Sequence, residues 1–92
     1  MFTITSLTEA IKKFAFPFNT PGDFTPLLTA IGESRVVLLG EASHGTSEFY
    51  KVRSELTKRL IEEKGFTLIA VEGDWPSTQR VNRFIKGYDT DL

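Results

Sequence analysis

An α/β fold built as a β-α-β-α core with parallel strands is the class this sequence predicts, and three observations carry it. Two apolar runs, at residues 36–39 and 66–71, have the length and the β-branched and leucine content of strands. Between them residues 46–64 follow a helical pattern, with Phe49, Val52, Leu56 and Leu60 three, four and four apart. Each run leads into an acid, Glu41 beyond Gly40 in the first case and Glu72 in the second.

A first helix is expected over residues 6–14, where Leu7, Ile11 and Phe14 share a face and Ser6 with Glu9 suits an N-terminal cap. It stops before Pro17. Residues 17–24 carry Pro17, Asn19, Pro21, Gly22 and Asp23, all loop formers. Asp23 or Thr25 then caps a short helix carrying Leu27, Leu28 and Ile31, which Gly32 ends. The run at 36–39 has no polar interruption, which predicts a strand buried on both faces. Gly65 stops the central helix. After the second run, Asp74, Trp75 and Pro76 open a helix that carries Val81, Phe84 and Ile85 and closes at Gly87.

Strands joined by a helix of this length are expected to be parallel, with a right-handed crossover that brings Glu41 and Glu72 to one sheet edge. Open α/β sheets take their ligands on that edge, where helix N-termini also present free N–H groups. Two strands cannot cover both faces of such a sheet, and 92 residues are marginal for a core. The expectation is one partial domain over residues 1–92, the N-terminal fragment of a larger fold, which unfolds alone with low cooperativity.

Composition excludes several function classes. The chain has no cysteine, one histidine, 25% charged residues and a formal net charge of −1. Disulfides and thiolate zinc sites are ruled out. Balanced charge argues against a nucleic-acid partner, and the basic residues between 51 and 64 alternate with Glu55, Glu62 and Glu63 as on a solvated helix face. No apolar run approaches the roughly 20 residues that span a bilayer, and the first residues lack a basic leader with an apolar core, so no membrane partner and a cytoplasmic location are expected.

The residues that carry chemistry gather behind the two runs. A loop histidine such as His44 ordinarily caps or bonds a loop. With Glu41 three residues before it and Glu72 at the matching end of the next run, however, its imidazole has carboxylates to fix its tautomer, and such a group takes a proton from water. Arg53 falls between Phe49 and Leu56 on the helical wheel, inside the apolar stripe. It either snorkels to water or turns inward to Glu41 or Glu72, where it neutralises a carboxylate or holds an oxyanion. Capping accounts for Asp74, and also for Ser43 and Thr46, since the G-x-S-x-G nucleophile elbow is absent. Trp75 suits core or hinge packing better than a substrate pocket.

Three other readings compete at the same residues. Residues 40–47 nearly spell a phosphate-binding loop, but the lysine is missing and Glu41 repels phosphate. A nucleotide or methyl-donor half-domain would place Glu72 on ribose hydroxyls, yet the first turn lacks G-x-G-x-x-G. His44, Glu41 and Glu72 are acceptable metal ligands by type.

The two motifs resemble those of the erythromycin esterase family. Its G-E-x-x-H-G-[ST]-x-E-[FY] segment is matched by Gly40, Glu41, Ala42, Ser43, His44, Gly45, Thr46, Ser47, Glu48 and Phe49, continuing to Arg53. Its second motif is matched by Glu72, Gly73, Asp74, Trp75 and Pro76. The resemblance implies a hydrolase that opens the lactone ester of macrolide antibiotics, in the setting of antibiotic resistance, or a relative acting on another small-molecule ester. It implies that His44 is the general base, that Glu41 and Glu72 are active-site acids and that Arg53 is their associated arginine, with no cofactor and no metal. A second histidine lies far downstream in the family's pattern, so the remainder of the parent domain is implied as a required partner. The alternative is a noncatalytic remnant or a nucleotide- or methyl-donor-binding half-domain.

Overall fold

The chain is described by a computed structural model covering residues 3–19 and 21–92. Met1, Phe2 and Thr20, the last within the expected loop at 17–24, lie outside the described residues. Helix α1 spans Ile4–Phe14, α2 Thr25–Ile31, α3 Ser47–Lys64 and α4 Trp75–Ile85, and a short 3-10 helix, Pro21–Phe24, precedes α2. The helices fall where their apolar spacing and glycine stops put them, with small shifts. α1 starts earlier than expected because Thr3, not Ser6, caps it: the Thr3 hydroxyl accepts from the Ser6 N–H at 3.1 Å. Part of the expected loop is the 3-10 helix itself. Phe24, rather than Asp23 or Thr25, holds the N-cap position of α2, and the Asp23 carboxylate accepts from the Asn19 N–H at 2.6 Å.

The expected α/β class is not what forms. Among the described residues there is no strand, and the fold is four helices joined by extended segments. The reason is cover. In the first run Val37 and Leu39 are half-buried against the core, while Val36 and Leu38 stand 72% and 90% exposed. The run is therefore covered on one side only, not on both. In the second run Phe66 reaches the core, but Leu68 is 82% exposed, and α4 buries no residue with which to cover it. Parallel strands persist where both faces are covered, and a bare two-stranded pair is marginal in water. The two runs lie side by side along shared clefts without a backbone ladder between them.

The core is small. Phe24, Leu28, Leu56 and Leu60 are the buried apolar residues among those described, so the 3-10 helix and α2 pack on the middle of α3, with Ile31, Val37, Leu39, Val52 and Phe66 around them. The Lys64 ammonium crosses to the Gly32 carbonyl at 3.1 Å and ties the ends of α2 and α3 together. The radius of gyration is 17.1 Å, against about 12 Å for a compact chain of this length. Most apolar side chains thus lie outside a shared core.

Gly65 closes α3 in the left-handed conformation, φ +73°, with its N–H on the Ile61 carbonyl at 3.2 Å. A Cβ there meets no atom within 4 Å, so Gly65→Ala is expected to cost about 1 kcal/mol through backbone strain alone, read as a lower urea midpoint. At the other end of the chain Arg83 grips Asp89 through two hydrogen bonds of 2.8 and 2.9 Å, and its guanidinium lies 5.9 Å from the Tyr88 ring. Hydrogen bonding from Arg83 holds the Asp89 carboxyl below its usual value. This clamp stabilises the end of α4 above the unfolded-state value and is lost as pH falls through the folded one. Acidification is expected to fray residues 86–89 ahead of α3, seen by amide chemical shifts.

Candidate active site

The 36–39 segment, anchored on the core by Val37 and Leu39, delivers Glu41 to the flank of α3. Gly45, with φ +81°, then turns the chain from His44 into that helix, a conformation L side chains rarely adopt. The Ser43 and Thr46 hydroxyls bond each other across the turn at 2.8 Å. Thr46 holds the N-cap position of α3 but makes no side-chain cap, so the expected capping role gives way to a brace for the turn. Asp74 likewise sits at the N-cap of α4 without capping a backbone N–H, and accepts from the Ser77 hydroxyl at 3.1 Å.

Three of the four residues singled out in the sequence meet here. Glu41 Oε1 lies 2.8 Å from His44 Nδ1, and Glu41 Oε2 lies 3.5 Å from Arg53 Nη1. One carboxylate thus stands between the imidazole and the guanidinium. The Glu41 side chain is 23% exposed and that of Arg53 35%, whereas His44 is open to solvent at 92%. Arg53 does turn from the stripe edge to an internal partner, and Glu41 is that partner. Its guanidinium also lies 5.6 Å from the ring of Tyr50, one turn earlier on α3.

Glu72 occupies a different position. It lines the same open cleft, of about 600 Å³, as Glu41, His44 and Arg53, but makes no ion pair with them. Among the described residues no three His, Asp or Glu side chains stand close enough to hold a metal ion, so His44, Glu41 and Glu72 are not gathered as a ligand set. Tyr50 is the site residue that sequence reasoning passed over. Its signal was available: an aromatic three residues before Arg53 on the same helix.

A carboxylate in contact with Nδ1 orients an imidazole and leaves Nε2 to the cleft, the arrangement that a proton acceptor for bound water requires. Two comparisons with known proteins found similar sequences. The erythromycin esterase family model matches residues 61–92, which include the motif at 72–76 and α4. An erythromycin esterase type II of Escherichia coli is 42% identical over 84 residues, covering 87% of this chain and 20% of that protein. A match of that extent spans the positions of both motifs in this chain. Both comparisons make the chain similar to the erythromycin esterase family, and it spans a fifth of the length of this relative. No solved structure matches it. Among the described residues, no helix is long and apolar enough to cross a membrane.

Proposed function

We propose that this chain supplies the general-base half of a site that hydrolyses a carboxylic ester, with a macrolide lactone as the first substrate to test. The placement of Glu41 between His44 and Arg53 carries this reading, and the name of the Escherichia coli relative supplies the substrate class. In the proposed step His44 Nε2 takes a proton from water as the water oxygen attacks the ester carbonyl carbon. The tetrahedral intermediate then expels the alcohol oxygen, which recovers the proton from the imidazolium, leaving a carboxylic acid and an alcohol. For a lactone the ring is opened.

Glu41 holds the imidazole ring and balances the charge that develops on it. Arg53 holds Glu41 in turn, so that the carboxylate is fixed from both sides. Glu72, further along the same cleft, is assigned to the water or the departing alcohol. The site is one part of a larger domain in this reading.

The test is a chimera in which this chain replaces the matched segment of the Escherichia coli relative. Lactone opening, followed by mass spectrometry, is the expected outcome. Glu72→Gln is expected to lower the rate by about tenfold or more. A folded chimera that opens neither a lactone nor a simple ester would remove the reading.

A further inference from the structure

The apolar residues that the fold leaves bare are not scattered. Val36 and Leu38 on one run and Leu68, Ile69 and Val71 on the other are 56% to 90% exposed, and the two runs border one pair of clefts. Their backbones are bare as well. Among the described residues, no backbone-to-backbone hydrogen bond involves residues 35–45 or 67–73. An exposed apolar patch combined with open donors and acceptors marks an interaction surface.

We infer that these two runs are the docking surface for the four-fifths of a protein like the Escherichia coli relative that this chain does not span. The inference deepens the ester-hydrolase reading by naming what completes its site. The occupant is argued from length and place. This chain matches the relative over 87% of its own residues, including both runs, yet over only 20% of the relative. A surface shared with a much longer protein but bare here is a surface that the rest of that protein covers. The bare runs also lead directly into Glu41 and Glu72, so a cover over them narrows the cleft around the solvent-open His44. The rim carries Arg35, Glu63 and Lys64, charges of both signs, which does not suit an anionic lipid surface.

The experiment co-expresses the tagged 92-residue chain with the unmatched part of the Escherichia coli relative as a separate polypeptide. Co-purification is expected, with slowed hydrogen exchange at the amides of 36–39 and 67–71. Leu38→Asp and Leu68→Asp, both at solvent-facing positions, are expected to weaken the complex by about tenfold or more while leaving the circular dichroism of the free chain unchanged. His44→Ala is expected to leave the complex intact, so docking and catalysis fail separately. Failure to co-purify, a complex indifferent to both aspartates, or a self-dimer formed through the same runs in place of the complex overturns the inference.

Discussion

Alanine at Leu60 is expected to undock the 3-10 helix and α2 from α3 and to abolish the tertiary structure of the chain. Leu60 is 5% exposed and belongs to a core of four buried residues, with Leu56 one turn before it and Phe24 and Leu28 across from it. Truncating a buried leucine costs about 2–5 kcal/mol. Folded chains of this length hold roughly 5–14 kcal/mol in total, and a core this small leaves the present chain toward the bottom of that range. The loss is therefore comparable to the whole.

α3 should survive in part, since its 18 residues carry the Lys58–Glu55 and Arg59–Glu63 pairs at 2.9 and 2.6 Å. The expected signature is retained far-UV helicity with collapsed amide dispersion. Leu38→Ala is the control: at 90% exposure it should change stability by less than about 0.5 kcal/mol. Equal costs at the two leucines would mean that the core lies elsewhere.

That contrast marks the boundary of what could be read from the residues. The helices were legible because a helix declares itself locally, through apolar spacing such as Phe49, Val52, Leu56 and Leu60 and through stops such as Gly65 and Gly87. A strand does not, because an apolar run asks for burial without saying what provides it. Residues 36–39 read as covered on both sides, yet only Val37 and Leu39 found cover, and the sheet expected from them is absent. The site followed the same division. Glu41 and His44 are three residues apart on one turn, and Arg53 betrayed its partner by sitting inside an apolar stripe. Glu72 depended on strand pairing for its position, and it is the residue left without a partner in the cleft.

His44→Ala is expected to reduce ester turnover by the chimera by about 10²- to 10⁴-fold, the usual worth of a general base, or about 3–5 kcal/mol of barrier. The side chain is 92% exposed and its ion-pair partner among the described residues is Glu41, so circular dichroism and the urea midpoint should not move. An activity loss with unchanged stability separates chemistry from folding. Glu41→Gln tests the next link, because an amide keeps the shape but removes the charge that both His44 and Arg53 address. Its effect on turnover should be large but smaller, about 10²-fold. Combined with His44→Ala it should cost almost nothing more, since a residue that acts by orienting an imidazole has no work left once the imidazole is gone. Independent, multiplying losses would instead give Glu41 a role of its own on the substrate, and would break the chain of contacts from Arg53 through Glu41 to His44 on which the proposed mechanism stands.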